Sequence, residues 1–169
     1  MARVNRQITL AARPVGMPKE SDFKLVERPV ADPADGELLV QVHYLSVDPY
    51  MRRRMIDAPS YAPAVGLGEV MVGGAVGQVV ASRHPKFKEG DFVESMGFGW
   101  QELALSNGRG VRKVDPKLAP ISTALYVLGM PGMTAYFGLL DICDPQAGET
   151  VLVSGARSEE RRVGKECAD

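Results

Sequence analysis

Apolar and polar residues alternate along the first part of the chain in seven short runs: RQITLA, FKLVER, ELLVQVHYLSV, AVGQVVAS, DFVESM, WQELALS and VRKV. A period of two places successive side chains on opposite faces of an extended backbone, so each run predicts a strand with one face toward a core. The separators GMPKESD, PVADPADG, HPKFKEGD and SNGRG are rich in Gly, Pro and Asp, which favour tight turns. Together they predict a compact, mostly antiparallel barrel or sandwich.

After Pro116 the period changes. LAPISTALYVLGM carries apolar residues at helical spacing, Pro131-Gly132 punctuates it, and MTAYFGLLDI offers a second helix with Thr134 near its first turn. DPQAGE is a turn, and TVLVSGA reads as a buried strand entering a glycine turn, the start of an α/β layer. The expected organisation is a β domain over 1–118, the opening of a second domain over 119–156, and a tail over 157–169. Eight of the thirteen tail residues are charged, and the broken strand-turn predicts a chain cut short.

Apolar residues make up 45% of the 169 and charged residues 24%, which predicts a packed core rather than disorder. A formal net charge of -1 gives no broad attraction to nucleic acid or to an anionic membrane. The one compact basic run before the tail, Arg52-Arg53-Arg54, reads as a solvated edge. Cys143 and Cys167 form no metal or disulfide spacing, and neither a signal-like nor a membrane-length apolar run occurs, so a reducing cytoplasm is the expected compartment.

The segments SVDPYMRRRM, VGGAVGQVVAS, FKEGDFV, GWQELAL, LGMPGMTAYFGLLDI and GETVLVSGA, in that order and spacing, resemble the zinc-independent, NADP-dependent medium-chain dehydrogenase/reductases, in the branch of curcumin reductase, prostaglandin reductase and alkenal/one oxidoreductase. The resemblance covers residues 5–156. It implies a mostly β GroES-like barrel as catalytic domain, followed by the first elements of a truncated Rossmann domain. It also implies NADP as cofactor, an enone or enal as substrate, and a homodimer for the full-length protein. In that family more βα units follow V-S-G-A, so the chain as it stands is expected to be an inactive N-terminal fragment. The tail RSEERRVGKEC resembles the in-frame translation of a common sequencing adapter; the other reading is a genuine charged terminus.

The candidate chemistry follows from what is missing as well as from what is present. A catalytic zinc needs about three Cys, His or carboxylate ligands, whereas the positions where the zinc class carries Cys and Gly-His-Glu read YLSVDPYMR and VGGAVGQVV here. No metal site is expected. His43 in a strand and His84 in a turn read as structural, and Ser154 lacks the G-x-S-x-G spacing of a nucleophile elbow.

A reductase of this kind leaves the difficult step to its cofactor: hydride adds to the β-carbon of an α,β-unsaturated carbonyl, and the resulting enolate oxygen needs a hydrogen-bond donor. Tyr50 in DPYMR and Tyr61 in APSYAP are the loop tyrosines available, with Tyr61 placed first by the resemblance. Either could instead be a packing residue. Phe98 and Trp100 in SMGFGWQEL either wall a substrate cleft or pack the core. The resemblance places Met130 near the nicotinamide and Thr134 near the ribose-phosphate, with Gly155 and Ala156 opening the phosphate turn; a helix cap and interdomain packing is the other reading of GMPGMT. Two further functions stay open: a related zinc-independent quinone reductase, and a stand-alone GroES-like binding or assembly module.

Overall fold

The computed structural model describes residues 3–153. All seven alternating runs form strands. β1 (Arg3–Leu10) and β2 (Phe23–Val30) make an antiparallel pair in unbroken register from Arg3 opposite Val30 to Leu10 opposite Phe23. β3 (Leu38–Leu45), β4 (Ala75–Ser82), β5 (Phe92–Ser95), β6 (Leu103–Ser106) and β7 (Arg112–Val114) form a five-stranded antiparallel sheet in the order β6-β3-β4-β5-β7. The register of β3 against β4 shifts between Leu39 and Val40 and again between Val42 and Tyr44, leaving His43 without an opposite residue. Such bulges increase local twist, and the His43 ring sits edge-on to Phe92 at 6.1 Å.

β1 knits the two sheets together. Ile8 N–H donates to Trp100 O at 2.9 Å, Glu102 N–H to Arg6 O at 3.0 Å, and Met71 N–H to Ile8 O at 2.9 Å. A buried amide reinforces this seam: Asn5 Nδ2 donates to Leu103 O (2.7 Å) and Gln101 Oε1 (3.0 Å), while Asn5 Oδ1 accepts from Leu103 N–H (2.9 Å). Asn5 is 2% exposed, and its hydrogen bonds are what make burying an amide tolerable.

Two apolar clusters hold the sheets. Leu38, Val40, Ala75, Val79, Val93, Phe98 and Ala104 form one, drawing on residues two apart along β3. Leu10, Met51, Met55, Val65 and Met71 form the other, with Phe23, Tyr50, Val72 and Trp100 packed against it. Each fully buried side chain of this size contributes about 1.5–3 kcal/mol. At Gly77 in β4 a Cβ would stand 2.1 Å from Gln41 O, so only glycine permits the observed strand approach.

Beyond β7 the helix expected over LAPISTALYVLGM is shorter and tighter. A 3-10 turn spans Ile121–Leu125, and the chain then folds back with Leu128 N–H donating to Thr123 O. Ala124 is the one buried residue of that turn, so a single turn against β4 and β5 satisfies its apolar content. α2 (Met130–Phe137) runs into a π-helical segment, Gly138–Cys143, closed by Asp144 in the left-handed region with φ 44°.

The chain divides into two compact units, Met1–Met133 and Thr134–Asp169. The buried strand expected at TVLVSGA is not present among the described residues: Val151, Leu152 and Val153 carry no strand structure and are 52%, 89% and 73% exposed. A buried parallel strand needs neighbours on both edges and cover on both faces, and no described segment pairs with these residues.

Candidate functional site

The site begins where β3 ends. Ser46 N–H donates to Gly74 O at 2.8 Å, and the Ser46 hydroxyl donates to the Asp48 carboxylate. This short polar bridge turns the chain into α1 (Tyr50–Arg54), a single helical turn. Met51 and Met55, four residues apart and so on one helix face, are both buried in the second cluster and anchor it. Tyr50 is left half-buried at the edge of that cluster.

Burial is the main cause that pushes the Tyr50 hydroxyl above the ordinary tyrosine pKa. The Asp48 carboxylate adds to the rise, Arg54 opposes it, and Tyr61 adds to it. Tyr50 therefore stays a neutral O–H donor well into the alkaline range, the state that can donate to an oxyanion. The contribution from Tyr61 also places the two candidate tyrosines in one electrostatic neighbourhood, although Tyr61 itself is 76% exposed.

Next to the Ser46–Asp48 bridge lies a crevice of about 10 Å³ lined by Gly74, Glu94, Met96, Leu125 and Met130. The expected cofactor residue Met130 is thus brought beside the loop that carries Tyr50. Gly73 makes the close packing possible, since a Cβ there would lie 2.8 Å from Trp100 Nε1 and 2.9 Å from Met51 Cε. Thr134 stands one helical turn beyond Met130 in α2. Gly155 and Ala156 lie outside the described residues.

The two aromatic candidates separate. Phe98 is 2% exposed within the first apolar cluster, so it is a core residue with no ring face left for a cleft. Trp100 is half-buried, stacked on Phe23 with ring centres 5.7 Å apart and planes at 22°. Its Nε1 is buried without a partner, and its ring also lines a shallow groove of about 310 Å³ with Ile8, Leu25, Val42 and His43. Glycines flank both aromatics alike, and the alternation that sends Phe98 inward is interrupted by Gly99 at φ +68°, which re-aims Trp100.

The basic run does more than meet solvent: Arg53 is exposed, Arg52 and Arg54 are half-buried, and all three bind loop carbonyls. Arg52 Nη2 donates to Pro14 O (3.2 Å) and Gly16 O (2.9 Å), Arg53 Nη2 to Pro59 O (2.5 Å), and Arg54 Nε to Pro63 O (2.6 Å). Each guanidinium satisfies loop carbonyls that have no strand partner. Sequence reasoning missed this, as it missed Ser46, Asp48 and Met96; the S-x-D-P order of a side-chain-capped turn was the available signal. Among the described residues no three His, Cys, Asp or Glu side chains cluster to hold a metal, and no helix is long and apolar enough to cross a membrane.

Comparison with known proteins agrees with this geometry. The chain is 50% identical over 153 residues to the NADPH-dependent curcumin reductase of Escherichia coli K12, covering 90% of this chain and 44% of that protein. It is 44% identical over 151 residues to prostaglandin reductase 1 of Bos taurus, covering 88% of this chain and 44% of that protein. Among solved structures, CurA of Vibrio vulnificus in complex with NADPH matches with a TM-score of 0.79 and 50% identity, over 85% of this chain and 42% of that one. The chain thus spans less than half the length of these relatives. A family model described as the N-terminal domain of oxidoreductase matches residues 6–114, and with the mostly β architecture and the resemblance read from the motifs in agreement with it, the chain belongs to that family.

Proposed function

We propose that this chain supplies the catalytic-domain half of an NADPH-dependent reductase that saturates the activated C=C bond of α,β-unsaturated aldehydes and ketones. The observation that carries this reading is the 50% identity to a curcumin reductase over 153 residues, which includes the loops holding Tyr50 and Tyr61. NADPH supplies a hydride, two electrons and one proton, to the β-carbon of the substrate, and the second proton reaches the α-carbon from solvent. Everything else falls to the protein.

Met130, beside the small crevice it lines with Ser46, Asp48 and Met96, is assigned to the nicotinamide end of the cofactor by the family motif; the crevice of about 10 Å³ is too small to hold the ring as it stands. Tyr61, with Tyr50 behind it, donates a hydrogen bond to the carbonyl oxygen as charge develops there. A preorganised donor of this kind lowers the barrier by about 3 kcal/mol. Trp100 offers an apolar ring beside the site, and by the family motif Thr134 is assigned to the ribose-phosphate and Gly155 and Ala156 to the pyrophosphate. The expected partner is a small molecule; dimer formation and a cytoplasmic setting complete the reading.

The test is a fusion in which residues 1–153 replace the corresponding part of E. coli curcumin reductase. NADPH oxidation is followed with an enone, a saturated ketone and a simple quinone. Turnover of the enone but not of the saturated ketone supports the reading. Preference for the quinone redirects it to a quinone reductase, and a folded fusion inactive with all three removes it.

A further inference from the structure

Tyr61 sits near the tip of the segment Met55–Val65, a loop without strand or helix whose ends lie close together. The closure is explicit: Val65 N–H donates to Arg54 O at 2.8 Å, and one nitrogen of Arg13, Nη1, donates to both Met55 O (3.0 Å) and Val65 O (2.7 Å). Compact loops with adjoining ends are held by their own side chains and are often functional. Here the side chains that hold the tip come from α1. Arg53 grips Pro59 O and Arg54 grips Pro63 O, the carbonyls two residues before and two residues after Tyr61.

The arrangement has a specific mechanical result. Pro59 and Pro63 have fixed φ angles, and the carbonyl of each is held by a charged donor, which makes a stronger hydrogen bond than a neutral one. Arg53 and Arg54 are consecutive on a helical turn that is itself fixed by buried Met51 and Met55. Tyr61 is 76% exposed, so packing alone does not fix the direction of its loop. The paired arginines do so from both sides.

We propose that Arg53 and Arg54 are positioning residues that brace the Tyr61 loop from α1, holding the tyrosine in place for substrate. The inference rests on the catalytic reading of Tyr61 given above, and it adds a role that neither arginine has in contact with substrate. Since misplacement of a catalytic group by about 1 Å can cost as much as a hundredfold, loss of either brace is expected to lower kcat on the order of tenfold with little change in KM.

Two measurements test the brace and its use separately. In the 169-residue chain labelled with fluorotyrosine, the Tyr61 fluorine resonance is assigned by Tyr61→Phe. Arg53→Gln and Arg54→Gln should each shift and average that resonance, Arg53→Lys and Arg54→Lys should restore it in part, and the resonance of Tyr44 in β3 should stay in place as a control for folding. A Tyr61 resonance unmoved by both Gln variants overturns the brace. In the fusion enzyme, the Gln variants should lower kcat in the presence of Tyr61 and have no further effect in the Tyr61→Phe background. Equal losses in both backgrounds overturn the positioning role and leave a structural one. If Tyr61→Phe alone leaves kcat unchanged, the catalytic reading of Tyr61 fails and the positioning role falls with it, while the fluorine spectra still report whether the loop is braced.

Discussion

Replacing Asn5 by Ala is the sharpest test of how this fold is closed. The Asn5 amide donates to Leu103 O and Gln101 Oε1 and accepts from Leu103 N–H, all within 3.0 Å. Ala leaves the Leu103 backbone N–H and C=O without these partners in a region that is largely dry. A buried polar group left unpaired costs about 1–3 kcal/mol. Leu103 is half-buried, so partial hydration keeps the sum in the lower part of the range for two groups, about 2–4 kcal/mol. For a chain of this size that corresponds to a fall in Tm of roughly 5–15 °C. The assay is urea unfolding followed by the fluorescence of Trp100, the single tryptophan, whose ring is stacked on Phe23 beside the same seam. Asn5→Asp is the informative companion. It keeps an acceptor for Leu103 N–H but turns a carboxylate toward Leu103 O, so it should be at least as destabilising as Ala at neutral pH and recover as acid protonates it. A loss below about 1 kcal/mol for Asn5→Ala, or an Asp variant as stable as wild type, would falsify the claim that this amide holds β1 to β6.

Further outcomes concern backbone, titration and cofactor. Gly77→Ala should abolish the folded β domain rather than weaken it, because the new Cβ meets Gln41 O at 2.1 Å and the two strands cannot part without losing the sheet; soluble yield and circular dichroism decide, and a well-folded variant contradicts the argument. Tyr50 holds its proton longer folded than unfolded, so its burial adds stability that is complete below the ordinary tyrosine pKa and is lost as pH rises through the elevated folded value. Unfolding free energy of wild type should therefore drop more steeply than that of Tyr50→Phe as pH rises from the ordinary tyrosine value through the elevated folded one, and parallel curves across that window would count against it. The 169-residue chain alone should bind NADPH too weakly for calorimetric titration, since Val151–Val153 form no strand to lead into a phosphate turn; saturable micromolar binding would refute this.

The strands were legible because their cause is local. Period-two alternation between turn residues specifies an extended segment whatever its partners, and AVGQVVAS forms β4 without a change of boundary. What stayed hidden depends on distant partners. Asn5 stands just ahead of the run RQITLA with no local signal of its role, since its hydrogen bonds reach Gln101 and Leu103, 96 and 98 residues away. The arginine run resembled a solvated charge cluster because the carbonyls that engage it belong to loops with no pattern of their own. TVLV illustrates the opposite error, a segment with every intrinsic mark of a buried strand and no described neighbour to pair with. In the candidate site, Met130 was expected near the nicotinamide through the family motif alone, and the structure puts it in a crevice with Ser46 and Asp48 that no local pattern announces. Phe98 and Trp100, two residues apart and indistinguishable by composition, were divided by one left-handed glycine.

The way β1 is sewn to residues 100–103 bears on how the chain is made. β1 leaves the ribosome before Trp100 and Leu103, and although residues 68–71 cover part of its inner edge, the rest stays open until those two have emerged. Until then β1 and β2 amount to little more than a lone hairpin, which is marginal in water, and closing so long a segment carries an entropic penalty before any contact rewards it. Folding of this domain is thus tied to its last strands. A substitution in β1 that weakens its bonds to Trp100 or Leu103 therefore acts at the final closing step and lengthens the period during which an unpaired strand edge is open to other nascent chains.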